Sequence, residues 1–267
     1  MQFEVKNGCF TYHNHSRKIL ENVNFDVKSG EILCVLGSNG VGKTTLLKCM
    51  MGLQKWHRGE TLIDGKNISG IPIKELWKRI SYVPQAKNSV FSFTALDMVT
   101  MGRSAHLGMF RQPTKKDEEV AVQAMEDCGI LWLKDKLCTQ MSGGELQMVL
   151  IARSLATHPE MLVLDEPESN LDFKNQLIIL NLIQKLSQEK NISAIVNTHF
   201  PAHAMKIGTK ALILNRNAPP LFGLTNKIIN EENMRRTFSV QVQIHDFDYA
   251  SRHYRSVEPL YIVEEVS

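Results

Sequence analysis

One eight-residue stretch constrains the fold of this chain more than any other: Gly37-Ser38-Asn39-Gly40-Val41-Gly42-Lys43-Thr44. It matches G-x-x-x-x-G-K-[ST] at every fixed position, follows the apolar run Ile32-Leu33-Cys34-Val35-Leu36, and leads into a helix read at Thr45 to Met51. Glycines at 37, 40 and 42 let the backbone curl until successive N–H groups point inward, and the helix N-terminus adds its partial positive charge at the same spot. Such a loop cradles phosphates. Lys43 is placed to reach the β and γ phosphates, and the Thr44 hydroxyl to complete the oxygen shell of a Mg²⁺ ion. A glycine-rich turn with a chance lysine would not account for the strand before and the helix after.

Around this cradle the chain alternates short apolar runs with helical periodicity, which predicts an α/β core. Besides 32–36, the unbroken runs are Met161-Leu162-Val163-Leu164, Ile192-Ser193-Ala194-Ile195-Val196 and Ala211-Leu212-Ile213-Leu214, suited to strands of a mostly parallel sheet covered on both faces. Phe173 to Lys190 carries Leu177, Leu180, Ile183 and Leu186 at the spacing of one helix face, as expected of a crossover. Residues 2 to 30 alternate and turn at Lys28-Ser29-Gly30, which predicts an antiparallel layer at the N-terminus. From about Thr94 to His158 the signal is helical, at Asp97 to Arg103, Lys115 to Asp127 and Gly144 to His158, consistent with an inserted α-helical subdomain entered through Pro84 to Phe93. The expected division is a single domain over 1–240, with core about 1–85 and 160–240 and helical subdomain about 86–159. A C-terminal extension of unassigned role, 241–267, shows no clear periodicity.

The 267 residues divide into one to two domains of about 150. With 31 Lys and Arg against 28 Asp and Glu, and 43% hydrophobic residues, the chain has ordinary globular proportions, without a basic arm or stripe for nucleic acid. No apolar run approaches a transmembrane length, and Met1 to Lys6 reads as an opening strand rather than a signal peptide, so a cytoplasmic location is expected. Cys9, Cys34, Cys49, Cys128 and Cys138 are odd in number and lack C-x-x-C, which suits buried reduced thiols.

Asp165 ends the 161–164 run, where an acid leaving a buried strand can hold Mg²⁺ or its water. Glu166 follows, and strand alternation would turn it the other way, so that one carboxylate serves the metal and the next polarises an attacking water.

A cradle alone leaves kinases, helicases, GTPases and transport ATPases open. Met141-Ser142-Gly143-Gly144-Glu145-Leu146-Gln147, heading the helix that runs to His158, closely resembles the Leu-Ser-Gly-Gly-Gln signature of the ATP-binding-cassette family. Tyr12, the cradle, Gln85 after Pro84, Glu166-Pro167-Glu168-Ser169-Asn170-Leu171-Asp172 and His199 stand in the family's order around it, over residues 2 to 225. The resemblance implies ATP and Mg²⁺ as ligands. Residues 37–45, Thr45 included, and Tyr12 stacked on adenine would hold the nucleotide. Thr44, Gln85 and Asp165 would hold the metal, Glu166 would be the general base, and His199 would hold the γ-phosphate and the water. Ser142, Gly143, Gly144 and Glu145 would meet the ATP of a second copy, because the family packs two domains head to tail, with Asp172 in a loop facing the partner. The plainer alternatives are a strand aromatic for Tyr12, a surface loop residue for Gln85 and a satisfied strand-end histidine for His199. His13 and His15 lack a third ligand and suit a solvated loop.

The sequence departs from the family pattern at Met141, Glu145, Leu146, Glu168, Asn170 and Phe200. Glu145 and Leu146 flank the anion site, so nucleotide affinity in the closed dimer is a point of interest. Asp97 to Gly108, which reads D-x-V-x-M-G-R-x-x-H-L-G, resembles the equivalent segment of ATPases serving iron-siderophore, haem and cobalamin importers. Thr198-His199-Phe200-Pro201-Ala202-His203-Ala204 and Glu232-Asn233-Met234 do likewise. The resemblance implies a peripheral subunit at the cytoplasmic face, partnered by a polytopic permease, with a substrate-binding protein engaged through that permease. The apolar Val90-Phe91-Ser92-Phe93 would receive a permease helix or serve as local core. A soluble non-transport cassette ATPase, for cluster assembly or nucleic acid, is the rival reading.

Overall fold

Alternate burial along the first two strands sets the N-terminal layer. Phe3 and Val5 are buried on β1 (Gln2–Phe10), as are Val23, Phe25 and Val27 on β2 (Leu20–Lys28), and the strands pair antiparallel with Phe3 opposite Val27. Gly30, at φ 74°, makes the reversal that follows, a left-handed conformation glycine adopts without steric cost. The structure is a computed structural model and describes residues 1–12, 18–86, 92–107, 112–216 and 218–263. The histidines at 13 and 15, the apolar positions 90 and 91, and Gly108 lie outside the described residues.

Two compact units form, residues 1–70 with 195–267 and residues 71–194. In the first, β3 (Ile32–Leu36) is buried at all five positions and delivers the chain to α1 (Lys43–Met50). β4 (Arg58–Ile63) pairs with the other side of β1, and β5 (Lys66–Asn67) completes a four-stranded antiparallel sheet in the order β2-β1-β4-β5.

The second unit begins with α2 (Ile73–Arg79), β6 (Ile80–Val83) and α3 (Ala95–Thr100). α4 (Lys115–Asp127) and α5 (Gly143–Leu155) pack with α3 as a helical cluster. β7 (Met161–Asp165) lies parallel to β6, Tyr82 opposite Val163. α6 (Phe173–Lys190) then leads to β8 (Ser193–Asn197), within which the chain returns to the first unit. Thr114 and Asp117 cap α4 reciprocally, and Asp172 caps α6 by accepting the Asn175 amide at 2.8 Å.

Back in the first unit come α7 (Pro201–Ile207), β9 (Lys210–Ile213), β10 (Leu221–Leu224), α8 (Thr225–Ile228) and α9 (Glu231–Phe238). β9 runs parallel to β3, Cys34 opposite Ala211, with β10 antiparallel beside it. The tail, in which no period is evident from sequence, is a long hairpin of β11 (Val240–Tyr249) and β12 (Arg252–Ile262). Cys34, Cys49, Cys128 and Cys138 are buried, all five thiols are free, and burial pushes Cys49 and Cys128 up to about 12. No helix among the described residues is long and apolar enough to cross a membrane.

Candidate functional site

In the first unit, residues 37–42 curl between β3 and α1 as the glycine spacing predicts. Gly40 and Gly42 sit at φ 73° and 113°; a Cβ on Gly42 would lie 2.9 Å from Ile19 Cγ2, and one on Gly37 2.7 Å from the Leu214 carbonyl oxygen. Lys43 is only 6% exposed, and its Nζ donates to the Gly37 carbonyl at 2.8 Å and the Ser38 carbonyl at 3.4 Å. The ammonium is thus folded over the loop it must serve. Thr44 is exposed beside it, and no acid occupies the first turn of α1 to repel an anion. Arg216 braces the loop from outside, donating to the Asn39 carbonyl at 2.9 Å.

Tyr12 lies beyond the end of β1, packs edge-on to Phe10 and places its hydroxyl 3.3 Å from Thr45 Oγ1, so structure brings it to the start of α1. His199 follows β8, where the Thr198 amide donates to the Val35 carbonyl at 3.1 Å and so ties this strand end to β3. Phe200, where the family often has an acid, lies tilted between the rings of His199 and His203, with centroids 4.0 and 4.7 Å away.

In the second unit, Asp165 ends β7 and accepts a hydrogen bond from the Tyr82 hydroxyl at 3.0 Å. Burial, and then the Asp165 charge, push the Tyr82 phenol up, so it stays a donor. Tyr82 is a site residue the sequence did not single out. Glu166 departs from expectation: strand alternation does not orient it, because the strand stops at Asp165 and Glu166 has φ 49°. A left-handed turn aims this carboxylate, and its Oε2 accepts from the Ser169 hydroxyl at 3.2 Å.

Ser142 and Gly143 are exposed at the start of α5. A capping box closes this start: Ser142 Oγ accepts the Glu145 amide at 3.3 Å and Glu145 Oε2 accepts the Ser142 amide at 2.7 Å. Lys136 Nζ donates to both Glu145 oxygens at 2.8 Å, and this contact first, with the Ser142 bonds, holds the carboxyl below the usual range. Leu146 points away from the anion site into the core, 6% exposed. A Cβ on Gly144 would meet Asn175 Cγ at 2.7 Å, and Asn175 Nδ2 donates to Asp172 Oδ2 at 3.0 Å, so the signature glycines pack on the cap of α6.

Gln147, 1% exposed on α5, spans the residues flanking Gln85: its Nε2 donates to the Pro84 carbonyl at 3.3 Å and its Oε1 accepts the Ala86 amide at 2.7 Å. Gln147→Leu keeps the volume and orphans both backbone groups. It is expected to cost about 1–3 kcal/mol in urea unfolding, since buried polar groups left unpaired carry such penalties. Turnover should fall with it; a loss under about 0.5 kcal/mol would make the amide pair incidental.

Residues 97–107 of the 97–108 segment serve packing. Asp97 and Thr94 cap α3, Arg103 donates to Asp117 at 3.1 Å and to the Ala156 carbonyl at 2.8 Å, and a His106 ring nitrogen lies 2.8 Å from the Thr157 carbonyl. Thr114's amide and hydroxyl, with Arg103, hold Asp117 down at about 2.

A family description for the ABC transporter matches residues 20–169. The molybdate import ATP-binding protein MolC of Haemophilus influenzae is 36% identical over 250 residues, 94% of this chain and 93% of that one. An ATP-binding protein of Helicobacter pylori assigned to iron chelatin transport is 39% identical over 228 residues, 82% of this chain and 88% of that one. A solved ABC transporter assigned to the metal-chelate type, in an inward-facing conformation, superposes with TM-score 0.87 and 34% identity over 97% of each chain. The chain belongs to the ABC transporter family and is an ATPase of that family.

Proposed function

We propose that this chain is the ATP-hydrolysing subunit of a metal-chelate importer, working as a homodimer beneath a separate permease at the cytoplasmic face of the membrane. The observation that carries the reading is the pair of anion-binding starts in one chain: the cradle at 37–45 and the exposed, capped start of α5 at Ser142–Gly144. A second copy gives each its complement. The alternative of a free, non-transport ATPase leaves the overlap with transporter subunits along nearly the whole chain without a reason.

In this reading Lys43 and the loop amides hold the β and γ phosphates, Tyr12 stacks on adenine and His199 orients the γ-phosphate and the attacking water. Glu166 takes the proton of that water as the bond from the β–γ bridging oxygen to the γ-phosphorus breaks, yielding ADP and phosphate. The Thr44 hydroxyl, the Asp165 carboxylate and the Gln85 amide oxygen are donors of the kind Mg²⁺ prefers and would hold it, and the ion would neutralise phosphate charge. Asp172 faces the partner copy. Residues 86–159 form the subdomain that meets the permease, and the binding protein acts through that permease.

Co-expression with a candidate metal-chelate permease from the same genome tests the reading: the complex is expected to co-purify and to take up an iron chelate in proteoliposomes when ATP is inside. Molybdate uptake alone would move the cargo to an oxyanion, and DNA- or RNA-stimulated turnover without a permease would overturn the importer reading.

A further inference from the structure

Glu145 places a carboxylate one turn into the helix whose start, under the reading above, receives the terminal phosphate of ATP from a second copy. Left alone, that charge opposes the ligand. The capping bond to the Ser142 amide at 2.7 Å keeps the carboxylate at the helix start, so it does not swing away to relieve the repulsion. What stands against it is Lys136, nine residues earlier, whose ammonium bonds both oxygens at 2.8 Å. The lysine is held in place by its backbone: its carbonyl accepts the Ala95 amide at 3.0 Å and its amide donates to Leu133 at 2.9 Å. The pair is partly shielded, with side chains 34% and 20% exposed, so its charges act on neighbours with less screening than a free surface pair.

We propose that Lys136 is a positioning residue for the nucleotide: it cancels and pins Glu145, so that the exposed helix start at Ser142 and Gly143 presents a net attraction to the terminal phosphate of a nucleoside triphosphate. The inference rests on the ATPase-dimer reading and adds to it the residue that lets an acid stand in the signature. ADP, held by the cradle of its own chain, does not require this contact.

The test is steady-state ATPase of the full chain at low salt, with ADP affinity measured in parallel by fluorescence titration. Lys136→Met is expected to raise the KM for ATP about fivefold, the order of one uncompensated charge near a partly screened site, with kcat within about twofold. ADP affinity stays within about twofold, and the rise in KM shrinks as salt is added. Lys136→Arg restores KM, and in a Glu145→Gln background Lys136→Met changes KM by less than about twofold, because no charge is left to balance. A KM unchanged in Lys136→Met, an equal rise in the Glu145→Gln background, or a matching loss of ADP affinity would each overturn the inference while leaving the ATPase reading intact. A parent chain that does not hydrolyse ATP overturns both.

Discussion

Glu166→Gln is expected to bind ATP as tightly as the parent and to lose turnover by about 10²- to 10⁴-fold, the usual contribution of a positioned general base. The amide is nearly isosteric with the carboxylate and keeps an oxygen to accept the Ser169 hydroxyl, so the φ 49° turn has no reason to change. What is lost is the capacity to take a proton. With hydrolysis stopped, ATP stays between two copies, and size-exclusion chromatography in ATP and Mg²⁺ should show a dimer that the parent forms only transiently. Phosphate release within tenfold of the parent would remove Glu166 from the role of base.

Lys43→Ala acts on the other half of the problem. Its ammonium is buried and bonds two carbonyls of the loop, so the cation is desolvated and preorganised before any phosphate arrives. Hydrogen bonds to charged groups contribute about 1.5–3 kcal/mol, which converts to a rise of about 10- to 150-fold in the dissociation constant for ATP. Titration with a fluorescent ATP analogue measures it directly, and affinity within threefold of the parent would undo the account of the cradle. The two variants separate binding from chemistry.

Much of this fold is legible in the residues. Phe173 to Lys190 and Lys115 to Asp127 match the helices residue for residue because local signals agree: Asp172 and Thr114 stand at the N-caps and the apolar spacing ends where the helices do. The terminal hairpin is hidden for a local reason too. Its turn is Ala250-Ser251, both at positive φ (49° and 60°), where Asn-Gly would have announced it, and its alternation slips between Ile244 and Phe247. At the site, the cradle and signature are contiguous motifs and so can be read. Tyr82, Gln147 and Lys136 act on groups 83, about 60 and 9 residues away, and only folding reveals them.

The 97–108 run illustrates the difference between a family mark and a functional one. Arg103 closes on Asp117 and the end of α5, and a Cβ on Gly102 would sit 2.0 Å from the Arg153 carbonyl oxygen. These residues lock a helical corner. Their resemblance to metal-chelate ATPases reports a shared scaffold.

The turn that aims Glu166 sets folding and turnover in opposition. A non-glycine residue held in the left-handed region carries about 1 kcal/mol or more of backbone strain. Glycine at 166 would relax it and, under the proposed role of Glu166, would give a more heat-resistant chain without turnover. Screens that reward thermal stability alone will therefore drift toward dead enzymes at this position, and the acid there persists only where hydrolysis itself is under selection.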